Sequence, residues 1–329
     1  MRRAGAAAAL LALAAAGAVL LAVRFGSVPL TTAEVIAALR GGGDPIQRDI
    51  VVGLRLPRAL LGILVGGGLA LAGATFQALL RNPLAEPYIL GISGGSAAAA
   101  VIVLALGLAS GSSWVLPAAA FGGALLAILL VFRIAAAADR ALDMRVLLLA
   151  GVVVGAFFSA VIALVLALSD APTVRSAVMW MMGSLDGATW TGVAIAAAYT
   201  LPAGVVLLGL ARALNVLAIG EETAAFLGTD VERTKRIAFG VASLITAAGV
   251  AVAGVIGFVG LIVPHAVRMV VGSDHRALLP LSFLGGAAFL VLADVVARVA
   301  IAPAEVPLGV VTAFAGVPLF LVLLRGSMR

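Results

Sequence analysis

Long uncharged apolar runs, separated by short polar breaks, dominate this chain. A helix crosses the hydrocarbon core of a bilayer with about 20 apolar residues, and the runs 4–23, 59–80, 146–168, 190–210, 278–300 and 306–324 are of that order. The run 87–132 is too long for one crossing, and Ser110-Gly111-Ser112-Ser113 divides it. The run 237–267 is also too long; Gly254, Gly257, Gly260 and Pro264 break it into one full span and one short, irregular span. The pattern predicts an all-α, polytopic membrane protein of about ten transmembrane helices in a single domain, 1–329. Strand-like alternation is absent, which argues against a membrane barrel. Helices satisfy their own backbone hydrogen bonds in lipid, so a helical bundle is the remaining solution.

Composition strengthens this reading. The apolar fraction is 64% and the charged fraction 11%, against roughly 45–50% and about 25% in soluble domains. So few charges cannot clothe a water-facing surface of this size. The net charge of +6 is spread along the chain, with no basic block of the kind that tracks nucleic acid. With the N-terminus inside, fourteen Lys/Arg residues (Arg140 and Arg329 among them) fall in inside segments and seven in outside segments. This bias predicts cytoplasmic termini. Met1-Arg2-Arg3 before an apolar run to Val23 also resembles a secretory leader. The run exceeds the ~7–15 residues usual there, which favours a retained helix. A faint repeat accompanies the spans: Gly73 precedes Pro83 by ten residues, as Gly254 precedes Pro264. The two helices run in opposite directions in this topology, the pattern of an inverted repeat.

The missing chemistry is equally informative. Lys235 is the only lysine and has no glycine cradle, so a phosphate-binding P-loop is excluded. Cysteine is absent, which excludes disulfides and thiolate metal sites. His265 and His275 have no second ligand at metal-binding spacing. No catalytic constellation, resident metal or cofactor is expected, and the chain is not read as an enzyme. An ion-coupled carrier needs polar groups near the midplane. Asp294 is the best candidate, but Arg298 lies four residues on, and an i,i+4 ion pair is the simpler reading.

Four stretches carry a family resemblance. They are Arg55-Leu56-Pro57-Arg58 through Arg81-Asn82-Pro83-Leu84-Ala85-Glu86-Pro87 to Leu90-Gly91-Ile92-Ser93-Gly94-Gly95; Gly220-Glu221-Glu222-Thr223-Ala224 with Leu227-Gly228; Gly257-Phe258-Val259-Gly260-Leu261-Ile262-Val263-Pro264-His265 with Arg268; and Ala293-Asp294 with Arg298, then Glu305-Val306-Pro307-Leu308-Gly309. Taken together and in this order, they resemble the FecCD-type permeases of type II ATP-binding cassette (ABC) importers for ferric siderophores, haem and cobalamin. The resemblance implies ten helices and a homodimer whose interface forms the substrate path. It also implies two cytoplasmic ATPase subunits, a periplasmic binding protein, a metal-chelate cargo and a place in the bacterial inner membrane. An iron complex is the broader substrate class, with a cobalamin-specific importer as the alternative. An ion-coupled secondary transporter and a non-transporting scaffold are the readings from other classes.

The resemblance also suggests roles for particular residues. The polar segment 212–236 is the implied coupling loop to the ATPase, through Gly220, Glu221, Glu222, Thr223, Ala224, Leu227 and Gly228. Read without it, the same segment is a connector in which Gly220 breaks one short helix and Glu221 and Glu222 complement the dipole of the next. Arg55, Arg58 and Arg298, near helix ends, are the implied binding-protein contacts, since arginine grips carboxylates with a planar fork. Snorkelling interfacial arginine is the alternative. Met179, Met181 and Met182, with Arg175, are candidates for a path or gate because methionine adapts to irregular apolar shapes. A short interfacial or re-entrant helix explains them equally well. Arg81, Asn82, Pro83 and Glu86 read as a turn ending a helix, with a relay of ATPase motion as the second possibility.

Overall fold

The computed structural model describes residues 2–138 and 143–327. Arg140 and Arg329, which enter the charge count, lie outside them. The helices are α1 (Arg2–Arg24), α2 (Thr32–Leu39), α3 (Pro45–Arg48), α4 (Leu56–Leu79), α5 (Ile92–Ala105), α6 (Val115–Ala138), α7 (Met144–Ala167), α8 (Ala171–Met181), α9 (Trp190–Gly209), α10 (Ala211–Ile219), α11 (Glu221–Phe226), α12 (Val231–Ala253), α13 (Val259–Val271), α14 (His275–Val299) and α15 (Leu308–Ser327). Seven helical stretches are long and apolar enough to cross a membrane, and Ile92–Ala105, Val259–Val271 and Leu308–Leu321 are shorter apolar helices. These ten match the expected segments one for one.

One boundary differs substantially. The polar stretch 24–58 is not a plain connector. Thr31 and Glu34 form a reciprocal capping box that starts α2. Asp44 caps α3, which continues through a π-helical turn, Asp49–Arg55, into α4. The charges at Arg55 and Arg58 seemed to end the span; internal partners let the helix run on through them.

α4 lies at the centre, almost wholly buried, with α9, α12, α13 and α14 packed around it. Lipid supplies no hydrophobic drive between helices, so small residues that admit close approach decide such packing. A Cβ on Gly66 or on Gly286 would overlap the other's carbonyl, and a Cβ on Gly73 would overlap the backbone of Gly260. α4 packs on α13 and α14, while α12 packs on α5 and α6.

α4 ends in a Schellman turn, with Asn82 N–H donating to Gln77 O (3.1 Å) and Arg81 N–H to Ala78 O (3.2 Å). Asn82 does not cap a following helix; its Oδ1 accepts from Leu84 N–H at 2.9 Å within the turn.

Candidate functional site

Three groups of candidate residues occupy distinct places. At one end of α4 and α14 the expected docking arginines turn inward. Arg55, Arg58 and Arg298 are only 5%, 8% and 4% exposed. Arg55 donates to the carbonyls of Val23 (3.0 Å), Arg24 (2.9 Å) and Val28, tying the end of α1 to α4. Arg58 binds Asp294 through Nε (2.9 Å) and grips Glu305 with both terminal nitrogens (3.1 and 2.6 Å). Asp186 lies 3.7 Å from the same guanidinium. Arg298 meets Asp294 at 3.0 Å and donates to Phe25 O and Ala22 O. Internal acceptors thus occupy all three guanidinia. The i,i+4 pair of Asp294 and Arg298 is present, and Arg58 is its third member. Of the carboxylates that meet Arg58, Asp186, with 79% of its side chain exposed, and Glu305, with 31%, face out. They edge a recess of about 180 Å³ above the three arginines. The missed signal was Glu305, 247 residues from Arg58 and invisible to any local pattern.

The methionines divide. Met181 and Met182 line an almost wholly apolar cavity of about 580 Å³, with Phe258 and Gly257 from the α12–α13 break and Phe314 from α15. Met179 borders a second, more polar cavity of about 700 Å³ beside Asp186 and Glu305. α8 is a short helix capped by Asp170, and its C-terminal end forms a cavity wall. Backbone hydrogen bonds fix that end, with Ser184 N–H donating to Ala253 O (2.8 Å), Leu308 N–H to Gly183 O (3.0 Å) and Gly309 N–H to Met182 O (2.9 Å). Arg175 is exposed on α8 and lines neither cavity.

At the far end of the bundle, glycines bracket α11. Gly220 adopts φ 155°, ψ 148°, a region open essentially to glycine alone, and so separates α10 from α11. Gly228 (φ 78°) closes α11, with Thr229 N–H donating to Ala224 O and Gly228 N–H to Ala225 O. Ala224 is buried in the core, whereas Glu222, Thr223 and Leu227 are exposed. The two glutamates have separate fates. Glu221 accepts from Lys235 Nζ at 2.9 Å, and that lysine, 2% exposed, also meets Glu232 at 3.1 Å. Glu222 faces out. Phe226 (91% exposed) and Ile219 (73%) stand beside it, and sequence reasoning passed over both. Nothing local singles them out, because Leu214, Val216 and Leu217 stand in the same segment. A second tie fixes this end: Asn215 of α10 donates to Asp274 (2.7 Å) and accepts from His275 N–H (2.7 Å) at the start of α14.

A broken-helix bundle with an apolar cavity and a presented loop helix is the geometry of a transport subunit. The description that matches residues 11–326 of this chain is the FecCD transport family. The chain belongs to the FecCD family. This FecCD-family chain is 47% identical over 297 residues to the cobalamin import system permease protein BtuC of Halobacterium salinarum, covering 90% of its own length and 79% of the relative's. It is 40% identical over 278 residues to the hemin transport system permease protein HmuU of Yersinia pestis, with 83% and 82% covered. Among solved structures it resembles an inward-facing conformation described as a metal-chelate type ABC transporter, with a TM-score of 0.87 and 32% identity over 97% of this chain and 98% of that one. The FecCD-family chain is a membrane-spanning permease subunit of an ABC transporter. Its one buried membrane acid near the Arg58 end, Asp294, is matched by two guanidinia, which removes the feature that an ion-coupled carrier most needs.

Proposed function

We propose that this permease imports a metal chelate as a dimer of two identical chains, driven by two separate ATPase subunits and supplied by a binding protein. The observation that carries the reading is α11: a helix bracketed by glycines, locked by Lys235 to α12, with Phe226, Leu227, Ile219 and Glu222 left uncovered. Exposed large apolar groups beside a charge, on a segment held rigid, suit a partner's groove. The side bearing α11 is the cytoplasmic side, as the Lys/Arg bias favours, and both termini lie there. The membrane is the cell (inner) membrane. The binding protein docks over the opposite end, on the surface that Arg55, Arg58 and Arg298 organise from beneath. The cavity beside Met181 and Met182 forms part of the path; its apolar wall offers a large chelate little to bind, so release is easy. ATP binding and hydrolysis act through Gly220–Gly228, since a partner shifts a conformational equilibrium only by binding one state more tightly.

The substrate class is an iron complex such as haem or a ferric siderophore; cobalamin is the second reading, which the relative from H. salinarum favours. The test is ATP-dependent uptake into proteoliposomes holding this chain, its ATPase and its binding protein, offered haem, ferric siderophores and cobalamin. Uptake of one compound, abolished without the ATPase, identifies the cargo. No uptake of any compound with an active ATPase would defeat the chelate reading.

A further inference from the structure

Two residues other than glycine have a positive φ among the described residues, Arg81 (46°) and Phe258 (70°). Arg81 belongs to the Schellman turn described above. Phe258 is different: a bulky aromatic residue in the left-handed region is a genuine outlier, and Gly257 stands next to it. Such strain persists only where the surroundings over-determine it.

The surroundings are a three-point clasp. Glu86 Oε1 accepts from Phe258 N–H at 2.7 Å, and Tyr88 Oη accepts from Ile256 N–H at 3.3 Å. Pro87, between them, abuts Gly260, where an added Cβ would come within 2.7 Å of the proline ring. Residues 86–88 thus hold the backbone of 256–260, the segment that interrupts α12 and α13. Leu69 O and Gly73 of α4 also press close on Gly260. The opposite face of Phe258 meets α15, where a Cβ on Gly316 would lie 2.9 Å from the Phe258 Cβ. The ring borders the apolar cavity with Met181 and Met182.

We propose that Glu86 is a positioning residue: its carboxylate holds Phe258 in the left-handed conformation, and through it sets the cavity wall that the transport cycle must move. The connection runs from the turn after α4, through Glu86, to the backbone of 258 and then to α15. Loss of the hydrogen bond frees Phe258 to leave the left-handed region, and the wall between α13 and α15 loses its register. The effect on transport rests on the importer reading above; the effect on the backbone does not.

The test uses the full chain in lipid nanodiscs and measures hydrogen–deuterium exchange over 254–262, with uptake per ATP hydrolysed measured in the reconstituted transporter. Glu86→Ala should speed exchange in that segment by about tenfold or more and lower uptake per ATP. Glu86→Gln, which keeps an accepting oxygen, should restore both. In Glu86→Ala/Phe258→Gly the exchange should slow again, because glycine takes the left-handed conformation without help. Unchanged exchange in Glu86→Ala would overturn the clasp. Faster exchange with normal uptake per ATP would overturn the positioning role. Parent protein without ATP-dependent uptake would defeat the importer reading, and exchange would still decide the clasp.

Discussion

The two ends of the bundle use charge in opposite ways. At the Arg58 end, three arginines and Asp294 are buried, and every guanidinium has an acceptor within the chain. At the α11 end, Glu221 and Glu232 turn to the buried Lys235, while Glu222 and three large apolar side chains remain uncovered. A charged residue at a helix end therefore says little about partners until its acceptors are known. Where distant loops supply carboxylates, the charge serves cohesion. Where the chain leaves apolar side chains bare beside it, the surface is the one proposed above for a partner.

The largest effect should come from Asp294→Ala. It leaves two buried guanidinia without their shared carboxylate and should cost about 3–5 kcal/mol in unfolding experiments in detergent. Glu305→Gln, at the exposed edge of the same cluster, should cost less than about 1 kcal/mol; equal losses would erase the distinction between centre and edge. Phe226→Ala should leave unfolding within about 0.5 kcal/mol of the parent. Yet it should weaken ATPase binding by about tenfold or more, measured by titration of detergent-solubilised permease. Unaltered binding would remove the contrast between the two ends. Lys235→Met should lower stability by about 1 kcal/mol and weaken ATPase binding less than Phe226→Ala, since it loosens the seat of α11 and leaves its face intact.

The smallest effect concerns pH. Hydrogen bonds from Arg276 and then Asn215 hold the Asp274 carboxyl well below the usual carboxylate range. A depressed value means that its contribution is complete above the unfolded-state pKa, about 3.9. That contribution is lost as pH falls further, through the folded-state value. Asp274→Asn should therefore leave the neutral-pH profile flat and alter only the acid limb below about pH 4. A change in slope between pH 5 and 8 would contradict this assignment.

Much of the fold was legible because lipid imposes a simple rule. A charge-free run of sufficient length is a span, and Gly254 with Pro264 marks a broken one. The helix breaks around α11 were legible for a local reason too, since Gly220 and Gly228 are helix punctuation that depends on no distant residue. The exception was 24–58, where charged residues suggested water and the chain instead continues a helix into α4. The partners of Arg58 were hidden for the same reason: it looks free until Glu305 and Asp294, more than 230 residues away, are placed beside it. Lys235 entered the sequence reading only as the lysine of an absent P-loop, yet it anchors α11.

The sequence alone determined the class of molecule, a helical membrane bundle of about ten spans without a P-loop, because composition and run length act locally. It also determined the breaks that divide the helices. The tertiary structure decided which charges are spent inside, which face of α11 is bare, and how residues 86–88 hold the strained Phe258. Those outcomes depend on acceptors and backbones brought together from distant parts of the chain, and no spacing along the chain encodes such distances.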